Sequence, residues 1–434
     1  MMIINLDGKL LPRDSKTIKW ETFEVSQNVS NIKIKFDYMP HISEFENHVN
    51  LLIYDSMNQF MGRYDRGYEN VVVGLDASPA AKKILPLPGT WKLALENHQL
   101  FSDISYHIEV EIQTNDKFTY KWHTGELHTH SIHSDGKLTV KELNDFMRSN
   151  YFDFFFLTDH SNNTGWQDFE DLGERNIILP GEELNTFKGH ILILGNHDFI
   201  DWKDITGQVK SPQSIQNEVR ISGGLMGIAH PFWIGDPICV GCSWKYNETP
   251  FDFDFVEIWN GGNGRRNIES LNLRAIYGWL SALRQGKKVV ATSGRDFHDK
   301  SGSNWWMKSH FLSRNTKLSE ILYAIKNGMI YMSHEQLRGN FDPAPGTEVK
   351  SNENQIFNFQ VSGYTGGQSF VITKKTVVSL GETSSGEVNL KDLEENDFAV
   401  FMMSDKTGIP LIITNPVYFK KGNENYSKIV GHNT

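Results

Sequence analysis

The chain has 434 residues and a mass of 49.7 kDa, a length that favours about three domains or one barrel with additions. Hydrophobic residues make up 39% of the sequence and charged residues 22%, so a disordered or collagen-like protein is excluded. Since the net charge is −10 and no apolar run approaches the roughly 20 residues of a membrane helix, we expect neither nucleic acid nor a membrane as a partner.

Residues 1–118 are predicted to form a β-sandwich-like domain. Apolar and polar residues alternate in short runs that Gly, Pro, Asn and Asp separate, which is typical of half-buried strands. The clearest runs are NIKIKFDYM, VNLLIYD, TWKLALEN and YHIEVEIQT. The opening residues, MMIINLDGKLLPRD, contain no basic segment followed by an apolar one. We therefore expect no signal peptide and a cytoplasmic protein, while secretion stays open if a leader has been removed.

Residues 119–335 are predicted to form an α/β domain, because short apolar runs alternate with helical ones. The apolar runs, which we interpret as buried parallel strands, are YFDFFFLTDH, GHILILGNHD, GGLMGIAHP, FDFVEIWN and KKVVATSGRDFH. The helical runs, which carry apolar residues at i, i+3 and i+4, are LTVKELNDFMRSN, SPQSIQNEVRISG, NLRAIYGWLSALRQG and TKLSEILYAIKNG. The alternation favours an α/β barrel or a doubly wound sheet, in which ligands gather at the C-terminal ends of the strands.

Residues 336–434 return to short strands and are predicted to form a β-rich C-terminal domain. The strand-like runs are QIFNFQVSG, QSFVITKK, FAVFMMSD and PLIITNPVYF. We interpret LRGNFDPAPGTEVKSNENQ, which precedes them, as a linker or a long loop.

Histidines concentrate in the α/β domain, where ten of the 16 lie between His123 and His310. The segment GELHTHSIHSDG holds His128 and His130 at positions i and i+2, which point to the same side of a strand. Both imidazoles can therefore reach one metal ion, and Asp135 can return to a neighbouring ion after a tight turn. A polar loop with surface histidines is the alternative interpretation of this segment.

Four further strand ends carry nitrogen or oxygen donors. Their segments are FDFFFLTDH, ILPGEELNTFKGHILILG, GLMGIAHPF and VVATSGRDFHD. The donors are Asp159, His160, Glu182, Glu183, His190, His230, Asp296 and His298. Imidazole mixed with carboxylate fits Zn, Mn or Fe, and the donors are too many for one ion. We therefore predict two or three divalent ions as cofactors.

The ordered motifs H-x-H-x-x-x-x-D, T-D-H, P-G-x-E, G-H, A-H-P and D-x-H resemble those of the PHP superfamily (polymerase and histidinol phosphatase) over about residues 123–335. The runs WHTGELHTHSIHSDG and ITNPVYF, with the WNGG segment that begins at Trp259, look like its CehA/McbA-like branch of metallohydrolases. The resemblance implies a distorted (β/α)7 TIM-like barrel, flanked here by two β-sandwich-like domains.

The resemblance also implies nine ligands for a trinuclear cluster. The first ion would take His128, His130, Glu183 and Asp296. The second would take Asp135, His160 and His298, and the third would take His190, His230 and the other oxygen of Glu183. His133 and Asp159 would orient ligands.

The implied reaction is hydrolysis by a hydroxide that bridges two ions, because metal binding lowers the pKa of water to about 7. A phosphoesterase acting on a small, anionic substrate is our first expectation, with Glu183 and Asp296 in catalytic roles. Arg295, directly before Asp296, would bind phosphate, or it would form a structural ion pair. The same cluster also suits carbamate, ester or amide hydrolysis. A non-catalytic protein that binds carbohydrate or a partner is the alternative from another class.

Residues outside the motifs supply further candidates. Arg265 and Arg266 would contact substrate or lie in a solvated loop. The four tryptophans near motif ends would line the pocket or pack in the core, namely Trp233, Trp244, Trp305 and Trp306. Cys239 and Cys242 are too few for a disulfide framework. We interpret this lone C-x-x-C as two loop thiols and keep a local disulfide as the alternative.

Overall fold

The structure, a computed structural model, describes residues 1–40, 47–65, 67–115, 117–261, 268–301, 307–334, 336–350, 356–363, 366–389 and 397–420. The chain divides into two compact units, Met1–Thr119 and Tyr120–Thr434. Among the described residues, no helix is both long and apolar enough to cross a membrane. The predicted division into three domains stays a prediction.

The first unit contains eight strands among its described residues. They are β1 (Met2–Leu10), β2 (Thr17–Val25), β3 (Val29–Met39), β4 (His48–Tyr54), β5 (Phe60–Tyr64), β6 (Val71–Gly74), β7 (Gly89–Gln99) and β8 (Ile104–Thr114). Two antiparallel four-stranded sheets result, in the orders β1-β8-β3-β6 and β2-β7-β4-β5. In β8, Ile104, Tyr106, Ile108, Val110 and Ile112 are buried at every second position, as the alternation predicts.

One hydrophobic core joins the two sheets of this unit. Ile32 and Ile108 contribute to it from the first sheet, and Leu51 and Trp91 contribute from the second. Each sheet therefore buries one face against the other and exposes its second face, which is the arrangement of a β-sandwich.

The second unit is mixed α/β and rich in strands. Its central elements are β9 (Lys121–Glu126), α1 (Val140–Ser149), β10 (Phe154–Leu157), β11 (Ile178–Thr186), β12 (Gly189–Leu194), α2 (Pro212–Ile221), β13 (Leu225–Ile228), β14 (Phe255–Asn260), α3 (Ile268–Arg284), β15 (Val290–Gly294), β16 (Met307–Ser313), α4 (Leu318–Lys326) and β17 (Ile330–His334). The four predicted helices are confirmed. Within the described residues they are the unit's only α-helices, fewer than a complete (β/α)7 arrangement has, and the barrel stays a prediction.

The remaining strands follow β17 in the sequence. They are β18 (Arg338–Asp342), β19 (Glu348–Lys350), β20 (Ile356–Ser362), β21 (Gln368–Thr373), β22 (Val377–Gly381), β23 (Ser385–Asn389), β24 (Asp397–Ser404), β25 (Pro410–Thr414) and β26 (Val417–Lys420). Strands β18 and β19 occupy the stretch that we interpreted as a linker, so that interpretation is wrong. Phe341, in β18, packs against Phe357 and Phe401 in the core of this region, and this burial explains the strand.

One 15-stranded sheet runs through the second unit, in the order β15-β14-β13-β12-β11-β10-β9-β16-β17-β25-β24-β21-β22, with β19 and β26 attached. Strands β9, β10 and β11 are parallel, as are β13, β14 and β15. Strand β12 is antiparallel to both of its neighbours, so its predicted parallel direction is wrong. Only two residues separate Thr186 from Gly189, and a connection this short permits only a hairpin.

Candidate metal centre

The H-x-H and D-x-H motifs lie side by side because the backbone pairs beyond the ends of β9 and β15. A parallel bridge joins Thr129 to Phe297. The amide of His130 donates to the carbonyl of Phe297 at 2.8 Å, and the amide of Phe297 donates to the carbonyl of His128 at 3.1 Å. With period 2 along each strand, the residues that flank the bridge point to the same side. This pairing brings His128 and His130 next to Asp296.

A second parallel bridge joins His160, beyond the end of β10, to Glu183 in β11. His190 lies in the antiparallel strand β12, and His230 follows β13. Since β10, β11, β12 and β13 are sheet neighbours, their polar residues converge on the same region. The structure therefore brings together all nine residues predicted as ligands, while their roles as metal ligands stay predictions.

Glu183 lies at the centre of the cluster and is fully buried. Its Oε2 atom lies 3.2 Å from His128 Nε2, 3.4 Å from His130 Nε2 and 2.8 Å from His160 Nδ1. Its Oε1 atom lies 3.1 Å from His190 Nδ1 and 3.3 Å from His230 Nε2. Each carboxylate oxygen thus faces a different set of imidazoles, which is the arrangement that a bridging ligand between cations requires.

Two aspartates complete the cluster. Asp296 Oδ1 lies 3.3 Å from His128 Nε2 and 3.1 Å from His130 Nε2. Asp135 Oδ1 lies 3.3 Å from His160 Nε2 and 3.0 Å from His298 Nε2. His298 lies between the two carboxylates, since its Nδ1 atom is also 3.5 Å from Asp296 Oδ1.

Side-chain spacing defines three groups of donors that could each hold an ion. Within each group the donor atoms lie within 4.8 Å of one another. The groups are His128, His130, Glu183 and Asp296; His130, Asp135, His160 and His298; and His190, His230 and Cys242. The first two contain the sets that the PHP resemblance implies for two ions. The third contains Cys242, which the sequence did not assign to the cluster.

The chemistry of the donors fits divalent cations. His128 Nε2 and Glu183 Oε2 are buried, and neither has a hydrogen-bond partner among the described residues although they lie 3.2 Å apart. Two such atoms facing each other need a proton or a cation between their lone pairs, and a divalent cation could take this place. Six imidazoles mixed with three carboxylates are the ligands that Zn, Mn or Fe accept.

The carboxylates and imidazoles of the cluster also shift each other's pKa values. Burial raises the pKa of Glu183, but the imidazoles of His128, His160 and His190 outweigh burial and hold that pKa well below its ordinary value. Burial lowers the pKa of His128, but the carboxylates of Glu183, Asp296 and Glu257 outweigh it and hold that pKa well above its ordinary value. The carboxylates thus stay ionised in a buried site, where protonated imidazoles balance their charge, and a bound cation would take the place of those protons.

Backbone strain coincides with two of the predicted ligands. His230 has φ of 25° and Asp296 has φ of 54°, both in the left-handed region that non-glycine residues avoid. Such a conformation costs about 1–3 kcal/mol and persists only where the surroundings impose it. Strain of this kind often occurs at functional sites, and here both residues belong to the cluster.

Buried carboxylates outside the motifs fix the ligands. Glu257 is in β14, and its Oε1 atom lies 3.2 Å from His128 Nδ1. Its Oε2 atom accepts hydrogen bonds from the amide of His230 and the side chain of Asn260. Glu126 accepts from the amides of His128 and Arg295, each at 3.0 Å, and burial raises its pKa to about 7. Sequence reasoning missed both residues, because one buried acidic residue in a strand gives no spacing signal.

The residues predicted to orient ligands have different surroundings. Asp159 accepts from the amide and hydroxyl of Ser131 and from the hydroxyl of Ser134, so it holds the loop after the H-x-H motif. The ring of His133 lies 3.1 Å from Asp168 and 3.0 Å from Thr164, neither of which is a predicted ligand. Their orienting roles stay predictions.

A cavity of about 410 Å³ opens over the cluster. Its walls include six predicted ligands together with Lys137, Asn185, Trp233 and Asp299. Lys137 is exposed and brings a positive charge to the cavity, which sequence reasoning missed. Trp244 instead packs on Tyr246 and Phe253. Arg265, Arg266, Trp305 and Trp306 lie outside the described residues.

Arg295 is buried, with 4% of its surface exposed. Its guanidinium lies 4.6 Å from the centre of the Phe297 ring, and its side chain is not part of the cavity wall described above. The backbone amides of Arg295 and His128 both donate hydrogen bonds to the Glu126 carboxylate. A catalytic role for Arg295 stays a prediction, and the geometry favours a positioning role.

Cys239 and Cys242 form a disulfide, with Cα atoms 5.5 Å apart. The interpretation as two loop thiols is therefore wrong, and the alternative of a local disulfide describes the structure. Both residues belong to the cavity wall. The C-x-x-C loop thus lies at the candidate metal centre, a position that the sequence alone did not reveal.

No family model and no curated protein matches the chain. A solved two-domain protein from Bacteroides vulgatus, which contains a predicted PHP-like metal-dependent phosphoesterase, is 14% identical with a TM-score of 0.41, over 71% of this chain and 98% of that chain. A candidate metal-dependent phosphoesterase from Bifidobacterium adolescentis is 17% identical with a TM-score of 0.30, over 41% of this chain and 88% of that one. An amidohydrolase from Chromobacterium violaceum, solved with sulfate and no metal, is 18% identical with a TM-score of 0.28, over 40% of this chain and 87% of that chain. At such low identity, the function proposed next depends on this chain's own side chains.

Proposed function

We propose that the chain is a metal-dependent phosphoesterase of the PHP type that acts on a small, anionic phosphoester. The observation that carries this proposal is the buried Glu183, whose two oxygens face five imidazoles between them at 2.8–3.4 Å. A carboxylate so placed joins two cations, and clusters of cations suit reactions that develop negative charge on oxygen.

The proposal includes two or three ions of Zn, Mn or Fe on a distorted (β/α)7 barrel of the CehA/McbA-like branch. His128, His130, Glu183 and Asp296 would hold the first ion, and Asp135, His160 and His298 the second. His190 and His230 would hold the third together with the other oxygen of Glu183. Bound ions supply a water of lowered pKa and positive charge for substrate oxygens.

The chain's own residues select the substrate. Lys137 places an ammonium group in the cavity wall, where it pairs with a phosphate group. Trp233 offers an apolar wall to the rest of the substrate. A cavity of about 410 Å³ admits a small molecule but not a folded polymer. Arg295 acts as a positioning residue, because its side chain is buried and its guanidinium lies 4.6 Å from the centre of the Phe297 ring.

A second candidate function is hydrolysis of carbamates, esters or amides. The apolar part of the cavity wall, formed by Trp233 and Val240, suits an uncharged acyl group. The same cluster would stabilise the anionic intermediate of acyl transfer. The charge of the preferred substrate separates the two candidates.

Elemental analysis and a substrate screen test the proposal. The full chain should carry two to three divalent ions per molecule and hydrolyse p-nitrophenyl phosphate or its diester faster than p-nitrophenyl acetate or a carbamate. Asp296→Asn should lose most of this activity and some metal, while the exposed Asp171→Asn should keep both. The proposal would be overturned if the purified chain contained no metal. It would also be overturned if the chain carried its metal ions but hydrolysed neither substrate class. Preference for the neutral esters would favour the second candidate.

A further inference from the structure

The C-x-x-C segment lies in the loop between β13 and β14, which covers one side of the cavity. Cys239 is partly exposed, whereas Cys242 is only 2% exposed. The loop is held by hydrogen bonds from the amide of Gly241 to Asp236 and from the amide of Trp244 to the carbonyl of Pro231. The two sulfurs therefore occupy different environments, and the inner one faces the cluster.

Cys242 lies beside two imidazoles of the candidate metal centre. One donor atom each from His190, His230 and Cys242 lie within 4.8 Å of one another, and all three residues are buried. Donor atoms around a tetrahedral zinc ion lie roughly 3.5 Å apart, since its bonds are about 2.0–2.3 Å long. Small side-chain movements would therefore bring the sulfur and both imidazoles onto one ion.

Gly241 permits this close approach. Its φ is 73°, and a Cβ atom at this position would collide with the carbonyl oxygen of Thr186 and lie 3.7 Å from His190 Nε2. A residue with a side chain would push the loop away from β11 and β12. The loop is thus built to bring Cys242 against His190.

We propose that Cys242, once its disulfide with Cys239 is reduced, binds as a thiolate to the ion held by His190 and His230. This inference rests on the metal centre of the proposed function and adds a ligand to its third position. Oxidation withdraws the ligand, because a disulfide sulfur has no negative charge to donate. A thiolate also shifts the preference of this position toward zinc, since soft sulfur ligands favour zinc over manganese.

The chemistry balances with a dithiol as the reductant. One thiolate of the dithiol attacks the more exposed Cys239 sulfur, and the S–S bond breaks with Cys242 leaving as a thiolate. The second thiol of the dithiol then attacks the mixed disulfide, which releases Cys239 as a thiol and leaves the dithiol oxidised. Two electrons pass to the protein. Cys242 binds the ion without taking up a proton, and Cys239 ends protonated.

Cobalt binding to the metal-free full chain provides the test. Co²⁺ bound by nitrogen and oxygen gives weak visible bands, and a cobalt–thiolate bond adds a strong charge-transfer band in the near ultraviolet. Four samples are compared: oxidised wild type, wild type reduced with a trialkylphosphine, Cys239→Ser and Cys242→Ser. The two variants lose the same disulfide and share any loss of stability. They differ only in which sulfur remains.

The charge-transfer band should appear in reduced wild type and, without reductant, in Cys239→Ser. It should be absent from oxidised wild type and from Cys242→Ser. Zinc at this position should bind at least about tenfold more tightly to Cys239→Ser than to Cys242→Ser. Loss of a direct ligand should weaken binding at least as much as loss of a residue that hydrogen-bonds to a ligand, which costs about 10–100-fold. Visible bands without the charge-transfer band in Cys239→Ser, or an equal charge-transfer band in Cys242→Ser, would overturn the inference alone. A chain that binds no cobalt in any sample would overturn the metal centre as well.

Discussion

Oε1 of Glu257 lies 3.2 Å from Nδ1 of His128, and both side chains are buried. The other oxygen of Glu257 accepts a hydrogen bond from the amide of His230 at 2.9 Å. One carboxylate in β14 therefore orients predicted ligands of two different ions. Carboxylates that hold metal-binding imidazoles fix the ring orientation and increase its basicity.

Glu257→Gln should weaken metal binding by about 10–100-fold, because an amide cannot accept hydrogen bonds with both of its ends. The measurement is competition of the protein with a chelator for zinc. The exposed Glu174→Gln should behave as wild type. Equal zinc affinity in Glu257→Gln and wild type would show that this carboxylate does not support the centre.

Glu183→Gln should damage activity far more than Glu182→Gln. Glu183 faces the imidazoles of the cluster with both oxygens, whereas Glu182 points to the opposite side of β11 and accepts from the amide of Ile200. We expect a loss of about 10²-fold or more in kcat/KM and of at least one bound ion for Glu183→Gln. Steady-state kinetics and elemental analysis of both variants decide, and an equal loss in both would refute the assignment.

Lys137→Ala should lower kcat/KM for phosphoesters by about tenfold, mainly through a higher KM, because one charge-assisted contact with phosphate is lost. Hydrolysis of neutral esters and the metal content should stay unchanged. Lys141→Ala is the matched control, since Lys141 is also exposed but is not part of the described cavity wall. If Lys137→Ala keeps the KM of wild type for phosphoesters, this lysine does not bind the substrate.

Arg295→Ala should lower kcat for phosphoesters and neutral esters by similar factors, because the arginine is buried against Phe297 and acts through the position of its neighbours. The sequence led us to expect a selective loss of about 10²-fold on phosphoesters, as a lost bidentate contact implies. Kinetics on both substrate classes distinguish the two roles. A selective rise in KM for phosphoesters would restore the direct contact.

The contribution of His310 to the stability of the second unit should decrease below about pH 6.5, the ordinary pKa of histidine. Burial lowers the pKa of His310 well below that value, and the cations of Arg338 and Lys308 lower it further. The folded protein thus keeps His310 neutral while the unfolded chain takes up a proton, so the stabilisation is complete above this pH and is lost as the pH falls. Thermal unfolding of wild type and His310→Gln between pH 5 and 8 provides the measurement.

His310→Gln should show a weaker decrease than wild type over this range. The hydroxyls of Thr124 and Ser333 lie 3.1 and 2.9 Å from its ring nitrogens and can still bind the amide. The exposed His197→Gln should keep the pH dependence of wild type. An unchanged pH dependence in His310→Gln would contradict the prediction.

Much of the candidate site could be predicted from the sequence because its signals are local. In H-x-H and D-x-H, two residues apart on a strand share one side, so His128 with His130 and Asp296 with His298 could be paired without knowing the fold. The helices were equally local, since Thr139 caps α1 and Val140, Leu143 and Met147 repeat along one buried face.

Only the tertiary structure decided the features that depend on contacts between distant segments. Glu257 contacts His128, although 129 positions of the sequence separate them. Cys242 lies near His190 because Gly241, which has no side chain, allows the loop to pack closely against Thr186 and His190. The sequence placed Arg295 beside a predicted ligand, but only the structure showed that its side chain is buried, with the guanidinium 4.6 Å from the centre of the Phe297 ring. Local periodicity sets which side of a strand a residue takes, whereas sheet pairing and packing set which residue it meets there.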